Sequence, residues 1–203
     1  MGKLNYLKEH FEKRVLICRI LGNNVPKLHG TNQTSINLEF TLKNESDFPQ
    51  TDKIYVLNRI YNLKIKEELI SLLKKYNQKY LDIPFSIEKY NNLPKAKSVV
   101  MGLNSTSFMT ESYKQNGKHN LYIVNNNGAR NFCIEYGKKK GYLYTFPLDS
   151  NSFFILSDYL LILDKINNNN YEYIVVNQKR LSESGLISND IIYNKNIIKN
   201  LPD

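Results

Sequence analysis

Val15 to Leu21 is the stretch that most limits how this chain can fold. It is an apolar run broken only by Arg19, too short for a globular helix and without the polar alternation of a half-solvated strand. Such a run suits a strand buried on both faces, as in a parallel sheet. Lys53 to Leu57 repeats the pattern and leads into Asn58 and Arg59, and Tyr80 to Ile83 gives a short third strand before Pro84. Between the second and third, Ile65, Leu69, Leu72, Leu73 and Tyr76 mark one face of a helix. Thr34 to Asn44 is ambiguous by pattern, because Ile36, Leu38, Phe40 and Leu42 alternate as in a strand. Parallel neighbours need a crossover, so topology favours a helix there, capped at Thr31 or Thr34. The result is a βαβαβ order, the nucleotide-binding half of many α/β folds. No G-x-G-x-x-G follows the first strand and no Walker glycine loop occurs, which sets aside the dinucleotide and P-loop classes.

The chemistry concentrates between Leu121 and Phe154. This stretch reads as a strand (Leu121 to Val124), a turn (Asn125 to Gly128), a helix (Ala129 to Lys138), a strand (Tyr142 to Phe146) and then Asp149-Ser150-Asn151. Ala129, Phe132, Cys133 and Tyr136 share one helical face, with Asn127 as the expected N-cap. Burial of that face directs Arg130, Asn131 and the backbone N–H groups near Gly128 elsewhere. A helix start beside an arginine favours an anion such as phosphate. Asp149, at the end of the following strand, stands where open α/β sheets bind ligands. With Asn151, water and phosphate oxygens it fits an oxygen-rich shell for Mg²⁺ or Mn²⁺. The plainer reading of the same residues is a surface arginine and a Pro-x-Asp-Ser-Asn turn.

Asn127-Gly128-Ala129-Arg130-Asn131, a helix, a strand and Asp149-Ser150-Asn151 together resemble the donor-binding core of family-2-like glycosyltransferases of the GT-A fold. There an x-A-R-N helix precedes a strand ending in D-x-D. The last acidic position is Asn151 here. The resemblance implies a three-layer α/β sandwich with a central, mostly parallel sheet. It also implies a nucleotide-diphosphate sugar donor, a glycan acceptor and an inverting transfer assisted by Mn²⁺ or Mg²⁺ at Asp149 and Asn151, in surface glycan synthesis. Arg130, Asn131 and Gly128 would meet the donor, and Arg19 and Gly22, near the end of the first strand, would lie near the base. Asn58 and Arg59 end a strand that in the family often bears an acidic residue for base or ribose. The catalytic base is unassigned; Glu172, Glu183 and Asp190 are available by position. A chain that binds the donor without transferring it is also compatible.

At 203 residues and 41% hydrophobic content, one domain over 1–203 with its own core is expected. The net charge of +9 supports a second class of function, a non-catalytic basic α/β module that binds nucleic acid or another polyanion. The abundance of Asn, Lys, Ile and Tyr is also that of A/T-rich coding, which accounts for part of the charge. Residues 91–118 lack a sustained period and read as a long loop or insertion, either a lid over the donor or a loose segment. Met1 to Lys13 reads as a short amphipathic helix, Phe153 to Ile166 as a buried helix and Tyr171 to Val176 as a strand. No apolar run long enough to span a bilayer occurs, and Met1 to Arg14 lacks the apolar core of a signal peptide, so the cytosol is the expected compartment. His10, His29 and His119 share no metal-ligand spacing, and Cys18 and Cys133 read as buried thiols.

Overall fold

The computed structural model describes residues 15–24, 30, 32–94, 117–168 and 172–176. The expected helix at Met1 to Lys13, most of the 91–118 segment, and everything after Val176 lie outside them. In chain order the elements are β1 (Val15–Leu21), α1 (Gln33–Asn44), β2 (Thr51–Asn58), α2 (Leu63–Lys75), β3 (Tyr80–Ile83) and α3 (Ile87–Asn91). They continue with α4 (Gly117–Val124), α5 (Asn126–Lys139), β4 (Tyr144–Asp149) and α6 (Leu156–Asn168). One compact unit carries the sheet and runs to Ser152, leaving out Thr41–Phe48; the second joins Thr41–Phe48 to the residues from Phe153 onward.

The expected α/β sandwich is present. Four strands form one sheet in the order β3-β2-β1-β4, and every pairing is parallel. β1 is buried along its whole length, as its apolar run requires. On one face Leu16, Cys18 and Ile20 of β1 and Ile54 and Val56 of β2 pack against Ala129 and Cys133 of α5. On the other face stands α2. Asp82 of β3 is level with Leu57, one of the β2 side chains that points away from α5, and it accepts a hydrogen bond from Lys66 of α2 at 2.6 Å. Helices on opposite faces follow from right-handed crossovers, because the chain moves outward from β1 to β3 and then returns across the sheet to β4. β1 and β4 therefore flank the point where the strand order reverses.

Local chemistry explains most boundaries. Asn62 caps α2, its side-chain oxygen accepting the N–H of Ile65. The N-terminus of α1 is closed from a distance: Asn24, just beyond β1, accepts hydrogen bonds from the Thr34 N–H (3.0 Å) and hydroxyl (2.8 Å). Helix rather than strand is the outcome for Gln33–Asn44, with Leu38 buried and Ile36 exposed. Gly137 lets α5 lie close on β4, since a Cβ there would sit 2.0 Å from the Thr145 Oγ1.

Five expectations are corrected. Leu121 to Val124 is the end of helix α4, not a strand, and the N–H of Asn125 donates to the Leu121 carbonyl at 2.9 Å in the helical pattern. Four apolar residues fit either state, and periodicity cannot separate them. Asn125, in the left-handed conformation at φ 44°, ends α4 and opens α5, so the latter starts earlier than an Asn127 cap would place it. The strand expected at Tyr142 to Phe146 is displaced to Tyr144–Asp149, which makes Asp149 its last residue. In the second unit α6 is not buried all round: Tyr159, Leu163 and Ile166 are inside, while Leu156, Leu160 and Leu161 are exposed. Phe48 stacks on Tyr159 with ring centroids 4.3 Å apart, and Phe154 meets the same ring edge-on. Glu172 to Val176 form no strand, with Tyr173 and Val175 largely exposed. No helix among the described residues is long and apolar enough to cross a membrane.

Two outcomes follow from the packing. Gly137→Ala should lower stability by about 1–3 kcal/mol, the usual cost of forcing an extra carbon into a filled contact, measured by urea unfolding. The second concerns Tyr142, whose hydroxyl donates to the Asp52 carboxylate; burial first, and then that bond, hold its ionisation far above the ordinary value of 10.0. A raised folded-state pKa gives stability that is complete below the unfolded value and lost above it. Stability should therefore fall above pH 10.0 more steeply in the wild type than in Tyr142→Phe.

Candidate functional site at the carboxyl edge of the sheet

The carboxyl ends of the four strands gather Gly22 to Asn24, Asn58 to Tyr61, Pro84 to Ser86 and Asp149, with α4 and the start of α5 beside them. Side chains at this edge divide into those used to hold the loops together and those left for something else.

The first group is a mesh of asparagines. Asn58, last in β2 and 1% exposed, donates from Nδ2 to the Val124 carbonyl at 2.8 Å and accepts at Oδ1 from the Asn125 Nδ2 at 2.9 Å. Asn23 donates to the Arg59 carbonyl at 2.8 Å and accepts the Tyr61 N–H at 3.1 Å. Arg59 has a left-handed backbone (φ 49°), unusual for its type. Its side chain donates to the Tyr122 carbonyl at 2.8 Å while the guanidinium lies over the Tyr122 ring, 4.1 Å from the centroid. The Tyr122 hydroxyl in turn accepts the Ser86 N–H. Asn58 and Arg59, expected near the base, are thus engaged in fixing α4 and the α4–α5 junction. Arg19 lies inside β1 at 1% exposure, level with Tyr55 and Leu148, rather than in the loop that follows.

The second group lies around β4. Arg130, in the first turns of α5, donates from one terminal nitrogen to both oxygens of Asp149, at 3.0 and 2.9 Å. The two side chains are 40% and 48% exposed, and an ion pair so exposed contributes about 0–1 kcal/mol. A ligand can therefore break it at little cost. Two residues expected to serve one cavity do meet, but on each other. The Asn125 side chain does not cap α5, so the first-turn N–H groups add their partial positive charge to Arg130. Gly128 is there because the Asn125 side chain crosses it: a Cβ would fall 2.2 Å from the Asn125 Oδ1. Asn131 and Asn151 are exposed. Gly22, at the end of β1, has open space where a Cβ would stand.

A metal finds little at this edge. Asp149 is a single carboxylate already facing a guanidinium, and no group of three or more His, Cys, Asp or Glu side chains converges among the described residues. Asp149 and Asn151 do not by themselves make a protein-held metal centre; a divalent ion there would have to arrive with phosphate oxygens of its own. Of the carboxylates suggested as base, Glu172 is exposed and belongs to the second unit, while Glu183 and Asp190 lie outside the described residues.

Asn23, Tyr122 and Asn125 were not singled out by the sequence. The available signal was their type: asparagine tolerates the left-handed conformation and bonds to nearby backbone, and three consecutive asparagines precede Gly128. No protein-family model, curated protein or solved structure matches the chain.

The mesh makes an acidic residue costly at position 58. A carboxylate would still accept from Asn125 but would face the Val124 carbonyl without a proton to donate. Asn58→Asp should lose about 1–3 kcal/mol or more, the cost of a buried polar group left unsatisfied. Urea unfolding should show the loss shrinking in acid, where the carboxyl regains a proton.

Proposed function

We propose that the carboxyl edge binds a nucleotide-diphosphate sugar, with the diphosphate at the β1/β4 reversal, and that the protein is a glycosyltransferase acting on a glycan acceptor. One observation carries this reading: Arg130 and Asp149 meet at the end of β4, beside an uncapped helix start, at the place where open parallel sheets bind ligands. A guanidinium and first-turn N–H groups suit a diphosphate. The open space over Gly22 lets the ligand pass close to the backbone of the neighbouring strand.

In such a transfer the acceptor hydroxyl attacks the anomeric carbon, the bond from that carbon to the diphosphate breaks, and negative charge grows on the departing nucleotide diphosphate. Arg130 leaves Asp149 and takes up that charge, and the α5 N–H groups share it. Asp149, once released, faces the incoming group and attracts any Mn²⁺ or Mg²⁺ that accompanies the phosphates. Asn131, on α5, and Asn151, in the turn after β4, are exposed and would hydrogen-bond the donor. The proton of the acceptor goes to a carboxylate acting as general base.

The test is a thermal-shift panel of UDP, GDP, TDP and CMP with nucleotide sugars, each in Mn²⁺ and in EDTA. A ligand at a hundred times its Kd stabilises the native state by about 2.7 kcal/mol, well within reach of the assay. One nucleotide diphosphate should shift the transition, and Arg130→Ala should remove most of that shift. Asp149→Ala separates two roles. In EDTA it should bind at least as tightly as wild type, because Arg130 is freed; in Mn²⁺ it should lose the increment that the ion gives wild type. No shift anywhere in the panel, or an undiminished shift in Arg130→Ala, defeats the proposal and favours the polyanion-binding reading.

A further inference from the structure

The helices that lead into β3 and β4 both end on lysines, yet the two ends differ. α5 closes on Lys138 and Lys139, with Lys140 next, all exposed, and the turn into β4 displays Leu143 at 63% exposure. α2 closes on Lys74 and Lys75, also exposed, but its turn from Tyr76 to Lys79 displays no large apolar side chain. Register separates them further. Tyr144 is level with Val15, and Val15 with Thr51, whereas Tyr80 is level with Tyr55. The α5–β4 turn thus stands at the amino rim of the sheet, and the α2–β3 turn is set back by roughly 13 Å, the length of four strand residues.

Lysines in a last helical turn complement the helix dipole, which accounts for some of them at either end. Lys140 is the C-cap of α5, its ammonium 5.8 Å from the Tyr136 ring centroid, a contact matched at the end of α2 by Lys75 and Tyr76 at 5.6 Å; what the dipole leaves unexplained is the exposed leucine three residues later. Of the nearby carboxylates, Glu135 lies one turn back on α5, and Asp52 is engaged by the Tyr142 hydroxyl. Both carboxylates count against the three lysines, and among the described residues the turn is still net positive around an apolar tip. Lysine is a point charge that needs no fixed bidentate geometry, which suits a mobile layer of headgroups. Leucine gains by entering the boundary of an acyl layer, and has no comparable partner in the phosphate backbone of a nucleic acid.

We propose that the α5–β4 turn docks this protein on an anionic lipid surface, with Lys138, Lys139 and Lys140 against the headgroups and Leu143 in the interface. The site is at the opposite end of β4 from Arg130 and Asp149, so docking leaves the carboxyl edge facing away from the lipid. The proposal stands independently of any ligand bound there.

The test uses the full chain in co-sedimentation with vesicles of phosphatidylcholine alone and of phosphatidylcholine mixed with phosphatidylglycerol, at low and raised salt. Wild type should sediment with the mixed vesicles only and be released by salt. Lys138→Glu with Lys139→Glu should weaken partitioning by at least about tenfold. Lys74→Glu with Lys75→Glu, the same change of charge in the same helical context, should weaken it much less. Leu143→Ser, an exposed change that leaves every charge in place, should weaken it severalfold with an unaltered salt dependence, and decides the matter if a charge-reversed protein fails to fold. Equal binding to neutral vesicles, equal loss in the two double variants, an unaffected Leu143→Ser, or binding to duplex DNA but not to vesicles would each overturn the proposal.

Discussion

Two-sided burial of β1 is the constraint on which the sheet-bearing unit depends. A strand with no solvent face needs helices above and below it and a strand on each edge. β2 and β4 take the edges, α5 covers the face of Leu16, Cys18 and Ile20, and α2 lies on the other side. Short hairpins cannot do this, because parallel neighbours require a crossover. The return of the chain to the far side of β1 is what creates an opening between two strand ends.

Hydrophobic burial sets the layers but does not fix the loops above them. That task falls to Asn23, Asn58, Asn125 and Arg59, which together bond to backbone groups of the β2–α2 loop, α4 and the α4–α5 junction. Each bond is modest on its own; those from Asn23, Asn58 and Arg59 close backbone carbonyls, and the one from Asn125 fixes the Asn58 amide. The arrangement spends polar side chains on rigidity at the edge and leaves Arg130, Asp149 and Asn131 for other uses. Left-handed backbones at Arg59 and Asn125 are held in place by the same bonds.

The layered fold was largely legible in the sequence because its signals are long-range and redundant: near-continuous apolar strands and, between them, a clean helical face on α2. Even Gln33–Asn44, which alternates like a strand, followed from the demand for a crossover. Errors fell where the signal was short. Leu121 to Val124 carries too few residues for a period, and the asparagine run after it stops and restarts a helix by a single left-handed residue. Tyr173 and Val175 have strand-like composition but no neighbour to pair with among the described residues. At the edge, Arg130 and Asp149 could be named from the order of motifs, whereas their pairing could not, since nothing in a sequence says which of two opposite charges will find the other first. Asn58 shows the reverse: its type was read as a possible ligand contact, and its burial assigns it to architecture.

The Arg130–Asp149 pair has a consequence for discrimination. A cation and an anion that satisfy each other present little net field to solution, so a lone anion that takes Arg130 leaves Asp149 without a partner, at a small cost because both are half exposed. A lone cation meets the mirror-image difficulty. A guest that brings both charges at once, or an anion together with a hydroxyl that can donate to the released carboxylate, leaves no charge stranded. Under the proposed binding, the pair tilts the edge toward compound ligands over simple ions by no more than about 0–1 kcal/mol, the worth of an ion pair so exposed.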